Sequence, residues 1–292
     1  MRKYSKPLWT VAWTAFFLLI NIAGLRIFTY ASTLKATSTP PAPVLASSLP
    51  AYSWPTSLWK LEEGLAAHES LTSAHRTVLV GASYVMLLPD IAQAVNLGVG
   101  ATNFSEHRYI IKTYCDPADT VIYFFTIYEA VHCNDPPRRS LTNESVRRTT
   151  ILKGMADFAN PKRRACMMLR QPPPDFDKEC TDKQIERFSQ TGQYSINPLY
   201  DIQREHPKTV FILHPMLPVS TFPDTPEAEH LKHMIAKLKA DCASSTLPIL
   251  DLSDALPASM FGDLFHLTED GKSQFVSILQ PLISNQNISS PL

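Results

Sequence analysis

Five short apolar runs, separated by longer mixed stretches, form the main pattern of this chain. They predict β-strands at Thr77–Val80, Ala94–Leu97, Thr120–Ile127, Thr209–Leu213 and Pro248–Leu252. Most of the runs are continuous rather than alternating, which is typical of a parallel sheet covered on both faces. Strands that alternate with helices favour right-handed βαβ units. The sequence therefore predicts an α/β fold, a three-layer α/β/α sandwich around a five-stranded parallel sheet.

Two amphipathic helices are predicted in the last third of the chain. In the first, apolar residues recur at i, i+3, i+4 and i+7, at Leu231, Met234, Ile235 and Leu238. Thr225 is the expected N-cap of this helix, with Pro226 at its first position. The second helix is predicted to begin after Thr268.

The N-terminus carries the pattern of a membrane anchor. Arg2, Lys3 and Lys6 precede the uncharged run Leu8–Leu25. The length of this run is near the lower limit for a helix that spans a bilayer. Cations before the run predict a cytoplasmic N-terminus and an exported C-terminal domain, periplasmic or extracellular. A cleaved signal peptide is the alternative, but no clean small-x-small site follows the run. We predict one uncleaved transmembrane helix within residues 1–32.

The remainder divides into a tether and a domain. Residues 33–56 are rich in Ser, Thr, Ala and Pro, which is typical of an extended tether. Residues 57–292 have a suitable length for one α/β domain. A formal net charge of 0 argues against a nucleic-acid partner, and 45% hydrophobic against 18% charged residues excludes disorder over most of the chain.

Segment 134–205 interrupts the strand–helix alternation and is interpreted as a polar insertion. Nine cations lie in its first half: Arg138, Arg139, Arg147, Arg148, Lys153, Lys162, Arg163, Arg164 and Arg170. A solvated face is one interpretation. The other is a basic surface for an anionic polymer or lipid headgroups.

The five cysteines suit an exported domain, in which disulfides are permitted. No C-x-x-C pair occurs, which argues against a zinc ribbon or a thioredoxin-type redox site. We predict a Cys166–Cys180 disulfide, with a bond from Cys133 to either of them as the alternative. A predicted strand separates Cys115 from Cys133, so these two are not expected to bond. Cys242 is expected to be buried in packing.

Two short motifs carry the candidate chemistry. Ser83 follows the first predicted strand, at the carboxyl edge where open α/β sheets bind ligands. Asp263 and His266 precede the last helix at a spacing that lets both belong to one turn. A serine hydroxyl needs a base to take its proton, and a carboxylate can hold the imidazole in the required tautomer. The three residues therefore predict nucleophilic catalysis.

In this order the motifs resemble those of the SGNH (GDSL-like) hydrolase superfamily, whose fold is flavodoxin-like. Gly81-Ala82-Ser83 is similar to the first block and Asp263-x-x-His266 to the last. Gly100, or alternatively Gly98, is similar to the glycine of the second block. The resemblance implies Ser83 as nucleophile, His266 as general base and Asp263 as its orienter. It also implies the Ser83 and Gly100 N–H groups as oxyanion donors.

The chain departs from this family in two places. Ala82 replaces the family aspartate, which is not part of the triad. The third block, Gly-x-Asn-Asp, is missing after the third predicted strand. Tyr128 or Asn134 is the candidate for the side-chain oxyanion donor that the family takes from this block.

The resemblance implies an exported, membrane-tethered O-acyltransferase or acylesterase that acts on a glycan or cell-envelope polymer through an acyl-serine intermediate. No cofactor or metal is implied, and a multi-spanning membrane acyltransferase is the implied partner. A non-catalytic scaffold module and a lipase-like lipid esterase are the alternatives. His230, His233 and the nearby Glu229 have no obvious further ligand, so a solvated helix face is favoured over a metal site. His214 is predicted to be structural rather than pocket-lining.

Overall fold

A sheet of five parallel strands organises the part of the chain that the computed structural model describes, residues 54–71, 76–159, 176–191 and 193–284. The strands are β1 (Thr77–Val80), β2 (Ala94–Asn96), β3 (Thr120–Phe125), β4 (Thr209–Leu213) and β5 (Ile249–Asp251). All neighbouring pairs are parallel, so that Val78, for example, pairs with Val95 on one side and Val121 on the other. The predicted α/β class and five-stranded parallel sheet are confirmed.

The order of the strands, β2-β1-β3-β4-β5, reverses at the first strand. The chain leaves β1 toward one edge of the sheet and then crosses back to place β3 on the other side of β1. In open α/β sheets such a reversal opens a crevice at the carboxyl ends of the strands, where ligands bind. The residues that follow β1 and β3 therefore face each other across this crevice.

The central strands are buried on both faces. Every residue of β4 is buried, and in β3 all residues from Val121 to Phe125 are buried. Consecutive side chains of a strand point to opposite faces, so an unbroken buried run requires packing on both sides of the sheet. This explains why the apolar runs in the sequence are continuous rather than alternating.

Ten α-helices occur within the described residues. They are α1 (Trp54–Ser70), α2 (Ser83–Met86), α3 (Phe104–Tyr114), α4 (Ile127–Val131), α5 (Arg139–Thr142), α6 (Glu144–Ala159), α7 (Lys178–Ser189), α8 (Asn197–Glu205), α9 (Pro226–Ser244) and α10 (Glu269–Ser284). Helix α9 has the predicted cap, because the Thr225 side chain accepts a hydrogen bond from the Ala228 N–H, and its predicted apolar stripe is buried. Helix α10 begins where it was predicted.

Strand β3 ends two residues earlier than predicted, at Phe125. Thr126 and Glu129 form a capping box that starts α4 directly after the strand. Strands β2 and β5 are also shorter than predicted by one or two residues at their ends.

A helix begins before the predicted end of the tether, which was placed at residue 56. Helix α1 starts at Trp54, whose indole N–H donates to Ser140 Oγ at 3.0 Å. The Arg138 guanidinium stacks on the indole at 3.5 Å. The predicted transmembrane run and the rest of the predicted tether lie outside the described residues. Within those residues, no helix has the length and apolar character needed to cross a bilayer.

The described parts of segment 134–205, residues 134–159, 176–191 and 193–205, pack against the rest of the fold through buried apolar side chains, so a solvated face does not describe all of them. Their buried apolar side chains come from four helices: Leu141, Ile151, Ile185, Phe188, Leu199 and Ile202. Among the nine cations of the segment's first half, Arg138 pairs with Glu106, Arg147 with Glu62 and Arg148 with Glu144. These contacts weaken the interpretation of a free basic surface, and the cations from Lys162 to Arg170 lie outside the described residues.

Arg147 should contribute far more to stability than its neighbour Arg148. The Arg147 side chain is buried, pairs with Glu62 and donates to the Leu141 carbonyl oxygen at 3.0 Å. Arg147→Ala should lower the free energy of unfolding by about 3 kcal/mol, because it leaves Glu62 and a buried carbonyl unpaired. The matched control Arg148→Ala removes a half-exposed i,i+4 pair with Glu144 and should cost less than about 0.5 kcal/mol. Chemical denaturation of both variants measures the difference, and equal losses would contradict the prediction.

Candidate active site

Ser83 lies in a tight turn between β1 and α2. It is the first residue of α2, and Ala82 before it is in extended conformation. A Cβ at position 81 would lie 2.5 Å from Val85 Cγ2 and 3.2 Å from the Phe124 carbonyl oxygen, so the strand tips approach closely only because residue 81 is glycine. The turn presents the Ser83 hydroxyl at the carboxyl edge of the sheet.

The structure brings together the three residues predicted for catalysis. Ser83 Oγ lies 2.7 Å from His266 Nε2, although the two residues are 183 positions apart in the chain. His266 Nδ1 lies 2.8 Å from Asp263 Oδ2. With the carboxylate accepting the Nδ1–H, the lone pair of Nε2 is directed at the serine hydroxyl. This arrangement suits proton transfer from serine to imidazole.

The turn that carries Asp263 and His266 is closed by its own hydrogen bonds. Asp263 Oδ1 accepts the N–H groups of Phe265 and His266, each at 2.9 Å, and the Gly262 N–H donates to the His266 carbonyl at 2.7 Å. Burial alone would raise the pKa of Asp263, but the His266 ring and the two backbone N–H groups outweigh it and hold the pKa below its ordinary value. Asp263 is therefore ionised at neutral pH.

The loop after β2 offers the second predicted oxyanion donor. The Gly98 N–H already donates to Asn96 Oδ1 at 2.8 Å, which leaves Gly100 as the better candidate. A Cβ at position 100 would lie 2.6 Å from Ser57 Oγ, so helix α1 packs directly on this loop. Arg138 Nη2 donates to the Ala101 carbonyl at 2.7 Å, and Ala101 has a positive φ of 53°. The loop is thus held from two sides in a conformation that is unfavourable for alanine.

The two candidates for a side-chain oxyanion donor differ in position. Asn134 is exposed and lies three residues beyond the end of α4. A role of Asn134 as a donor stays a prediction. Tyr128 lies within α4, and its ring packs against His132 and Phe188 with centroids 4.7 and 5.8 Å apart. Its role as a donor stays a prediction.

Glu129 is a buried residue of this region that the sequence reasoning missed. Its carboxylate accepts hydrogen bonds from the Tyr84 hydroxyl, the Thr126 N–H and the Thr126 hydroxyl, each at 2.8 Å. Because Tyr84 follows Ser83, Glu129 joins the turn after β1 to the turn after β3. Burial raises the pKa of Glu129 to about 7, although these hydrogen bonds act in the opposite direction. The spacing Thr-x-x-Glu, a capping-box signature, was the signal available in the sequence.

His214 is buried, which agrees with the predicted structural role, but its Nε2 has no hydrogen-bond partner within the described part of the chain, so it is not the fully satisfied histidine that was expected. Its ring is buried against Tyr84 and Phe275, with centroids 4.3 and 4.9 Å apart, and Nδ1 lies 2.7 Å from the Pro215 carbonyl oxygen. Burial lowers the pKa of His214 to about 3, so the ring is neutral.

The helix-face histidines give no sign of a metal site. His230 and His233 are exposed on α9, and Glu229 pairs with Lys232 instead. Among the described side chains, no group of three or more potential metal ligands is arranged around one point.

Cys180 is a free thiol, which corrects the predicted Cys166–Cys180 disulfide. Its Sγ faces the active site instead, 3.9 Å from Asp263 Oδ2. Cys115 and Cys133 are also free, as expected for that pair, and Cys242 is free and buried as predicted. Cys166 itself lies outside the described residues.

No model of a known protein family matches this chain, and no curated protein matches it either. The geometry of the site is therefore the basis on which its function has to be inferred.

Glu129 should make the stability of the domain depend on pH near neutrality. A carboxyl whose folded pKa exceeds its ordinary value of 4.5 contributes stability that is complete below pH 4.5 and is lost as the pH rises through about 7. Between pH 6 and 8 the free energy of unfolding should fall by about 1 kcal/mol more in the wild type than in Glu129→Gln. Chemical denaturation at both pH values tests this, and parallel pH profiles would show that Glu129 does not titrate in this range.

Cys180 should react slowly with alkylating agents while the protein is folded. Burial, followed by the charges of Asp263 and Asp177, raises the pKa of Cys180 to about 11, so little thiolate is present at pH 8. Iodoacetamide should modify Cys180 at least about 100-fold more slowly in the folded protein than in urea. Site-resolved mass spectrometry measures both rates. Failure to alkylate Cys180 in urea without reductant would instead indicate a disulfide.

Proposed function

We propose that this protein is an exported, membrane-tethered serine enzyme that transfers acyl groups through an acyl-Ser83 intermediate. Its fold is proposed to be the three-layer α/β/α sandwich of the SGNH hydrolases. The strand order and the burial of the central strands on both faces support this fold. The apolar N-terminal run supports the membrane anchor from the sequence alone.

The observation that carries the proposal is the continuous hydrogen-bonded chain from Ser83 through His266 to Asp263. His266 Nε2 takes the hydroxyl proton while Ser83 Oγ bonds to the acyl carbonyl carbon, and Asp263 stabilises the imidazolium. The N–H groups of Ser83 and Gly100 are proposed to bind the oxyanion. Collapse of the tetrahedral intermediate breaks the bond to the leaving group, which takes the proton from His266.

The acceptor completes the reaction. A hydroxyl group or water gives its proton to His266 and attacks the acyl carbonyl, and Ser83 leaves as the alcohol after it regains that proton. Transfer and hydrolysis use the same residues. We favour transfer to a glycan or cell-envelope polymer because the predicted anchor would hold the domain beside a multi-spanning membrane acyltransferase. The missing third block of the family favours the same conclusion. The chemistry requires no metal and no cofactor.

Labelling with a fluorophosphonate serine probe tests whether Ser83 is a nucleophile. The full-length wild type in detergent should be labelled, and Ser83→Ala should lose the label. Ser273→Ala is the matched control, because Ser273 is exposed on α10 and its hydroxyl donates to the Glu269 carbonyl of the same helix. His266→Ala should slow labelling at least about 1,000-fold, because the serine loses its base. A folded wild type without label would contradict an enzyme and favour a non-catalytic scaffold module.

Mass spectrometry of protein that reacts with the fluorophosphonate probe should identify the acyl group. After exposure to acetyl or long-chain esters, an added mass on the Ser83 peptide would identify the intermediate. Acetyl adducts agree with transfer to a polymer, and exclusive long-chain adducts would favour the lipase-like esterase instead.

A further inference from the structure

Helix α7 runs along the turn that carries Asp263 and His266. The turn is contacted by the N-cap of α7 and by the residues three, seven and eleven positions after it. Residues at this spacing lie along one side of a helix. They meet four consecutive residues of the turn in the same order: Asp177 with Gly262, Cys180 with Asp263, Gln184 with Leu264 and Phe188 with Phe265. The next residue in the chain is His266.

The first contacts fix the start of the turn. The Asp177 N–H donates to the Gly262 carbonyl at 2.7 Å. One helical turn later, Cys180 Sγ lies 3.9 Å from Asp263 Oδ2. The carboxylate oxygen that bonds the His266 ring therefore has the helix directly behind it.

The later contacts fix the segment next to the general base. Gln184 Oε1 accepts the Leu264 N–H at 3.1 Å. The rings of Phe188 and Phe265 meet edge to face with centroids 5.5 Å apart, and both side chains are buried. Leu264 is fully buried as well, so no solvent can replace Gln184 as the partner of its N–H group.

The opposite side of the turn is held by the loop after β4. The Leu217 N–H donates to the Leu264 carbonyl at 3.1 Å. Both backbone polar groups of Leu264 are thus bonded, one to α7 and the other to the sheet side of the molecule. This double attachment lies two residues before His266 and leaves the imidazole little freedom to move away from Ser83.

We propose that α7 is a positioning helix for the Asp263–His266 pair and that Gln184 is its central positioning residue. Gln184 acts through the Leu264 backbone, whose N–H it accepts. The catalytic consequence rests on the function proposed above, whereas the geometric consequence does not.

Three variants of the full-length protein in detergent test the proposal. Gln184→Leu removes the acceptor, Gln184→Glu keeps an acceptor oxygen, and Gln190→Leu makes the same chemical change at an exposed position at the end of α7. The rate of fluorophosphonate labelling should fall about tenfold or more in Gln184→Leu, because small misplacements of a reacting group cost at least this much. Gln184→Glu should recover most of the rate, and Gln190→Leu should label like the wild type.

A second readout does not depend on reactivity. The proton shared between His266 Nδ1 and Asp263 should give a downfield proton resonance in the wild type, and this signal should broaden or vanish in folded Gln184→Leu. Wild-type labelling and an unchanged resonance in folded Gln184→Leu would overturn the proposal. A wild type without labelling, together with loss of the resonance in Gln184→Leu, would refute the proposed function and support the positioning role.

A further variant keeps the test decisive where Gln184→Leu does not fold. Phe188→Leu keeps the helix apolar and buried but weakens the ring contact with Phe265. It should slow labelling about tenfold for the same reason. A folded Phe188→Leu protein that labels at the wild-type rate would overturn the proposal.

Discussion

The hydrogen bond between Ser83 and His266 joins two turns from opposite ends of the domain across the carboxyl edge of the sheet. It is short enough for proton transfer only if both turns are held in place, because a serine and an imidazole on mobile loops would separate. On the serine side, Gly81 lets the tips of β1 and β3 approach closely. On the histidine side, the internal hydrogen bonds of the turn, α7 and the loop after β4 restrict it. These contacts together hold Ser83 Oγ and His266 Nε2 within hydrogen-bonding distance.

Buried polar groups connect the neighbouring loops to the same site. Glu129 links the residue after the nucleophile to the start of α4, and the Arg138–Glu106 pair holds the Gly100 loop through Ala101. Such groups are costly to bury unless every partner is present, so they fix a single arrangement of the loops. The same low-polarity surroundings raise the pKa of Glu129 and lower that of His214. Burial therefore accounts both for the single arrangement of the loops and for the shifted pKa values of Glu129 and His214.

The fold class, the sheet and the meeting of Ser83, Asp263 and His266 were predictable because they depend on local patterns. Continuous apolar runs reveal buried strands, and short motifs at strand ends reveal the serine and the acid–base turn. The packing of α7, which lies in segment 134–205, was not predicted, because the many charged residues there obscure the apolar positions of this helix. Partners such as Glu62 for Arg147 lie 85 residues away, and no local pattern indicates such a pairing. The start of α1 at Trp54 was missed for the same reason, since Arg138 and Ser140 stabilise it from afar.

The separation of 183 residues between Ser83 and His266 has a consequence for biosynthesis. Ser83 leaves the ribosome long before His266, and β1 has both of its parallel neighbours, β2 and β3, only after β3 has followed. In the exported serine enzyme that we propose, the nascent chain would therefore carry a serine with no base to activate it. Reactivity would arise only when the last turn of the domain docks, after translocation is nearly finished, and esters met earlier on the route would be left intact.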